Sequence, residues 1–189
     1  MSVYHTSDFR KGLKVELEGE PYIMTECNFV KPGKGQALYK CKLKSLIKGS
    51  VLDRTFKSDD SLQAADVRES QMQYLYRSGD NFVFMDPDTF DQPELTPEQM
   101  GDTAKWLKDG LNCNIVFYNE RPISVDAPNH LVLEVVYAEP GARGNTATNV
   151  TKTAKVETGA EVQVPIFINQ GDKIKVDTRT GEYIERVRE

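Results

Sequence analysis

An all-β chain of three small barrels is the fold class this sequence predicts, and three observations carry it. Apolar and polar residues alternate with period two over many short stretches, the signature of half-buried strands. Glycine, proline and asparagine turn signals separate those stretches at short intervals. One segment, near residues 96–107, reads as a helix.

The elements run as follows. In GLKVELEGEPYIM, Leu13, Val15 and Leu17 alternate with Lys14, Glu16 and Glu18, and Gly19-Glu20-Pro21 turns the chain into Tyr22-Ile23-Met24. In ALYKCKLK, Ala37, Tyr39, Cys41 and Leu43 share one face, and Leu38, Lys40, Lys42 and Lys44 share the other. A strand of that pattern packs a core on one side and displays three ammonium groups on the other. Gly49 marks a further turn before SVLDRTFKS. Residues 1–64 thus read as four or five short strands, an SH3-like (KOW-like) barrel.

A second set, residues 65–127, opens with a hairpin. Tyr74-Leu75-Tyr76 and Phe82-Val83-Phe84-Met85 flank a Ser78-Gly79-Asp80 turn. In LTPEQMGDTAKWLKDG, Thr96 caps a helix, Pro97 suits its first position and Gln99 completes a capping box. Gly101 weakens its middle, Asp102 caps a second short turn, and Gly110 ends it. Strands NIVFYN and PISVDAP follow, with a boundary near 127. The third set, residues 128–189, holds HLVLEVVYAEPG, a small and polar loop with a weak strand, a buried VQVPIFIN strand with Pro165 at an edge or bulge, and a hairpin around 178–181. The rhythm of the last two sets fits two five-stranded OB-type barrels.

Composition narrows the function. No apolar run approaches the roughly 20 residues of a membrane span. The N-terminus lacks an apolar signal core, so a cytoplasmic location is expected. Cys27, Cys41 and Cys113 lack CxxC spacing and read as buried reduced thiols, and His5 and His130 are too few for a histidine metal site. No Ser, Cys and His constellation supports an enzyme, and no cofactor is implied. The net charge of −5 hides an asymmetry. Residues 31–57 carry eight Lys and Arg against the single acid Asp53, whereas residues 59–103 carry eleven acids against Arg68 and Arg77. A basic patch on a β surface is the usual footprint of phosphate contact.

At the head of that basic segment stands FVKPGKGQA. Lys31-Pro32-Gly33-Lys34 fits a type II turn, with proline at the first central position and Gly33 supplying positive φ at the second. Lys34 then leaves the turn at its tip, and Gly35 adds freedom. A phosphate-cradling loop is excluded, because GxxxxGK[ST] and a following helix are both missing. A solvated hairpin lysine and a lysine that reaches into a narrow site both stand.

The stretches SDFRKGLK, FVKPGKGQA, RTFKS, QYLYRSGDNFVFMD, AKWL, GNTATNVTKTAKVETGAEVQVP and GDKIKVDTRTGEYIERV span nearly the whole chain. Through them it resembles bacterial elongation factor P. The resemblance implies three β-barrel domains in an L-shaped, tRNA-like arrangement and a noncatalytic, monomeric factor. That factor binds both ribosomal subunits between the P and E sites, contacts peptidyl-tRNA and relieves stalling at consecutive prolines. It places the family's modified loop lysine at Lys34, lengthened by a β-lysyl group with possible hydroxylation. The modifying enzyme would be one related to lysyl-tRNA synthetase.

Pro32, Gly33 and Gly35 would shape that tip. Lys31, Lys40, Lys42 and Lys44 are candidate tRNA phosphate contacts, with solvated strand lysines the plain alternative. The family's loop near the exit-site messenger corresponds to Gly144-Asn145-Thr146, where many relatives have aspartate at the middle position, and Arg143 beside it is placed to reach phosphate. Tyr74, Tyr76 and Phe84 are either stacking platforms or core. The competing functions are a general single-stranded RNA-binding OB protein and a paralogue of the factor.

Overall fold

A computed structural model of the chain describes residues 2–141 and 150–188. Three sheets carry the architecture. The first is built from β1 (Val3–His5), β2 (Lys14–Leu17), β3 (Glu20–Val30), β4 (Leu38–Ser45), β5 (Val51–Lys57) and β6 (Ser61–Ala64), in the order β1-β6-β2-β3-β4-β5. It has six strands, where the alternation and turn signals suggest four or five. The shortest, β1, has only three residues and is recognisable by its pairing with β6, not by any pattern of its own.

The second sheet contains β7 (Val67–Ser78), β8 (Asn81–Met85), β9 (Glu94–Leu95), β10 (Asn112–Tyr118) and β11 (Arg121–Asp126), ordered β11-β10-β7-β8-β9. The third contains β12 (His130–Ala138), β13 (Thr151–Val156), β14 (Glu161–Pro165), β15 (Lys173–Asp177) and β16 (Glu182–Val187), ordered β14-β13-β12-β15-β16. By compactness the chain forms two units. One runs through residue 70 and includes Ile115–Ser124; the other comprises Gln71–Asn114 and the chain from Val125 onward.

The alternation seen in the sequence becomes the core of the first sheet. Along β4, Cys41, Leu43 and Ser45 are buried while Lys40, Lys42 and Lys44 are exposed. Val15, Met24, Phe9, Phe56 and Leu62 complete that core, and Phe9 meets Phe56 edge to face at 5.2 Å.

The helix is shorter than the sequence suggests. Thr96 accepts from the Gln99 amide, the Gln99 side chain accepts from the Thr96 N–H, and Pro97 opens the helix α1 (Pro97–Met100). Gly101 then takes φ +51, which ends α-helical winding, and a 3₁₀ segment continues over Gly101–Trp106. Asp102 does not cap it; that position belongs to Met100, which has no side-chain cap bond. The segment delivers Trp106 into the core of the third sheet, where it is 1% exposed among Leu131, Leu133, Val156 and Ile174.

A second difference concerns VQVPIFIN. Its strand stops at Pro165, on the edge strand β14, and Ile166 and Phe167 lie exposed in the turn beyond. Proline has no N–H to continue the ladder. Among the described residues no helix is long and apolar enough to cross a membrane.

Candidate functional site

The site is the end of the β3–β4 hairpin. Pairing of the two strands runs up to Val30 opposite Leu38. Residues 31–37 connect them, and Lys31 through Gln36 are all exposed. The connector is a bend and not the type II turn expected of Pro-Gly. Positive φ falls on Gly35, at +116°, and not on Gly33. Gly35 therefore redirects the chain just after Lys34, and Pro32, whose Cγ lies 3.9 Å from the Cβ position at Gly35, packs behind the bend.

The base of the tip is held from two sides. Gln36 Nε2 donates to Asp59 Oδ2 at 2.6 Å, tying the connector to the β5–β6 turn. Phe29 and Tyr39 face each other across the strands with ring centroids 5.1 Å apart, although Phe29 is 57% exposed. Neither tether was visible in the sequence. Gln36 and Asp59 lie 23 residues apart, and only the register makes Phe29 and Tyr39 a pair.

Below the tip, β3, β4 and β5 form cross-strand rows on their outer face. Asn28, Lys40 and Thr55 make one row, and Glu26, Lys42 and Asp53 the next. Together they line a shallow groove of about 440 Å³. The three strand lysines are not equivalent. Lys42 Nζ lies 3.1 Å from Glu26 and directly opposite Asp53, so acids offset its charge. Among the described residues no carboxylate pairs with Lys31, Lys34, Lys40 or Lys44. The structure thus brings Lys31, Pro32, Gly33, Lys34 and Gly35 together at one exposed end, with Lys40, Lys42 and Lys44 along the outer face of the strand that leads from it. Arg143, Gly144, Asn145 and Thr146 lie outside the described residues.

The aromatic candidates divide. Tyr74 and Phe84 are 7% and 0% exposed and pack on each other at 5.5 Å, so they are core; Tyr76 is 53% exposed.

Comparison with known proteins agrees with this layout along the chain. Residues 5–62 match the elongation factor P KOW-like domain, residues 67–125 the elongation factor P OB domain, and residues 131–186 the elongation factor P C-terminal domain. The chain belongs to the elongation factor P family. Over 187 residues this family member is 57% identical to the elongation factor P of Rhodopirellula baltica, covering 99% of the chain and 96% of the relative. It is 49% identical over 186 residues to that of Syntrophus aciditrophicus, covering 98% and 100%. Two solved structures share the fold. The eukaryotic translation initiation factor 5A from Methanococcus jannaschii has a TM-score of 0.55 at 17% identity, over 67% of this chain and 92% of that one. A translation initiation factor eif-5a family protein from Naegleria fowleri has a TM-score of 0.54 at 16% identity, over 66% and 97%. As an elongation factor P, the protein is a translation factor and not an enzyme, and its β-barrel architecture follows the family's KOW-like and OB domains.

Proposed function

We propose that this elongation factor P binds the ribosome between the P and E sites, contacts peptidyl-tRNA and stimulates peptide-bond formation at consecutive prolines. Lys34 is the group that acts, after a lysine-modifying enzyme has lengthened it with a β-lysyl group. The observation that carries the reading is the placement of Lys34: exposed, without a carboxylate partner among the described residues, on a hairpin end tied down by Gln36–Asp59. A tethered base reduces the entropy lost when the cationic arm is ordered against tRNA. Lys34 orients the acceptor end of the peptidyl-tRNA for attack. Lys31, Lys40 and Lys44 supply phosphate contacts beside it, and residues 143–146 approach the exit-site messenger.

Of the three candidate stacking rings, Tyr74 and Phe84 are buried and Tyr76 is exposed, which leaves one of them for the stacking a general single-stranded RNA binder uses. The test is synthesis of a reporter with three consecutive prolines in reconstituted translation. Protein from its own cells should rescue synthesis, unmodified protein less so, and Lys34→Ala least. Equal rescue by native and Lys34→Ala protein would refute the role of the tip.

A further inference from the structure

The first barrel holds two thiols for which the tip lysine has no use. Cys27 on β3 and Cys41 on β4 stand directly opposite each other, and their sulfurs lie 3.0 Å apart. Cys41 belongs to the core at 2% exposure, while Cys27 is half-buried at its margin. Directly opposed residues of antiparallel strands have Cα atoms about 4.5–5.5 Å apart. A disulfide accommodates about 4.4–6.8 Å, and its sulfurs bond at about 2.05 Å. Joining the two needs an approach of about 1 Å by the sulfurs and no change of strand register.

The position of the pair gives such a bond a consequence. Above it, three rungs remain before the connector: Asn28 with Lys40, Phe29 with Tyr39, and Val30 with Leu38. Below it, the ladder is interrupted by a register shift between Met24 and Glu26. The pair therefore sits where the upper hairpin joins an irregular stretch. We propose that Cys27 and Cys41 are a reversible disulfide site, which on closing ties off residues 28–40 as a covalent loop and stiffens the base from which Lys34 projects.

The oxidant is a small-molecule disulfide such as glutathione disulfide. Cys27, the more exposed sulfur, releases its proton to solvent and attacks one glutathione sulfur. That S–S bond breaks, a Cys27–glutathione disulfide forms, and the first glutathione leaves as thiolate. Cys41 then releases its proton and attacks the Cys27 sulfur, expelling the second glutathione. The protein has lost two electrons and two protons; the reagent gains the electrons and is released as two glutathione thiols. Burial, with Cys27 beside it, pushes the Cys41 thiol up to about 12, so the second step relies on contact and not on a standing thiolate. Cys113, the third thiol, is fully buried in β10, and burial likewise pushes it up to about 12.

Treatment of the full chain with glutathione disulfide, quenched by alkylation and followed by intact mass and a tryptic map, tests the site. The expected product lacks two hydrogens, contains Cys27 and Cys41 in one linked pair of peptides, and retains Cys113 as a free thiol. Amide exchange of residues 28–40 should slow by about tenfold and return to its starting rate with dithiothreitol. Cys41→Ala should stop at the Cys27–glutathione adduct, and Cys27→Ser should form neither product; circular dichroism checks that both variants fold. A stable glutathione adduct on the wild-type chain, both thiols still alkylatable, or linkage without slower exchange would each overturn the proposal. None of these readouts involves translation, so the result stands apart from the role of Lys34.

Discussion

Tyr118 donates its phenolic hydrogen to Glu16 across 2.6 Å, joining strands β10 and β2 over 102 residues of sequence within one compact unit. Arg68 and Glu120, 3.0 Å apart, form a further bond in the same unit, and Arg68 lies over the Phe117 ring at 4.3 Å. The hydroxyl bond is partly buried, which favours it over the exposed ion pair energetically.

Tyr118→Phe should therefore cost about 1 to 2 kcal/mol in urea unfolding. Burial, followed by the bond to Glu16 and its charge, pushes the Tyr118 hydroxyl up from its ordinary value of 10.0. A raised folded value favours the protonated folded state. The contribution is fully present below about pH 10 and is lost as pH rises through the folded value. Wild type should lose stability in that alkaline window more steeply than Tyr118→Phe.

The two cross-strand rows predict unequal lysines. Lys40→Ala should weaken binding to ribosomes by roughly threefold to tenfold and reduce the salt slope by about 1, as loss of a phosphate contact does. Lys42→Ala, whose charge Glu26 already offsets, should change binding by less than about twofold. Equal losses would show that the Glu26 pair opens on binding. Filter binding at several salt concentrations separates the two outcomes.

Gly35 and Gly33 should also respond differently. Gly35→Ala places a side chain at φ +116° and should cost about 1 kcal/mol. Gly33→Ala meets nothing within 4 Å and needs no positive φ, so it should be close to neutral. Thermal unfolding of the two variants measures the difference.

In the turn between β15 and β16, Arg179 donates from Nε to Asp177 Oδ1 at 3.1 Å and from Nη2 to Oδ2 at 2.7 Å. This guanidinium holds the Asp177 carboxyl down at about 2, below its ordinary 3.8. A depressed folded value stabilises the charged form. The contribution is present above the ordinary value and disappears as pH falls toward 2. Arg179→Gln should move the Asp177 midpoint upward in a carbon-detected NMR titration. Its stability deficit near neutrality should vanish at the acid end.

Trp106, the chain's single tryptophan, should emit as a buried indole and shift to the red when the third sheet unfolds. Trp106→Ala should cost about 3 to 5 kcal/mol, the usual loss for a large core side chain. An emission maximum typical of water in the native protein would contradict its burial.

Several of these features were legible from local pattern. The buried and exposed faces of β4 follow from alternation alone, and Thr96, Pro97 and Gln99 announce the start of α1 because capping involves neighbours three residues apart. The exposed tip with Lys34 followed from Pro32, Gly33 and Gly35 around it. Other features needed partners remote in sequence. The local Pro-Gly signal puts positive φ on Gly33, whereas the structure puts it on Gly35, within a connector that joins β3 at Val30 to β4 at Leu38. The row of lysines looked uniform because Glu26 lies on another strand. Trp106 read as part of a short helix, yet its ring completes the core of a different sheet.

By itself, then, the sequence determined where most of the strands lie, which faces are apolar, where the basic charge collects and to which family the chain is related. These are properties of neighbours and of side-chain chemistry, which survive without a fold. The tertiary structure alone decided that Cys27 meets Cys41, that Glu26 holds Lys42, that Tyr118 reaches Glu16 and that Gln36 anchors the tip to Asp59. Each of those contacts depends on strand register. Register is selected by burial of whole faces at once, because a slip of one residue would turn every core side chain toward water.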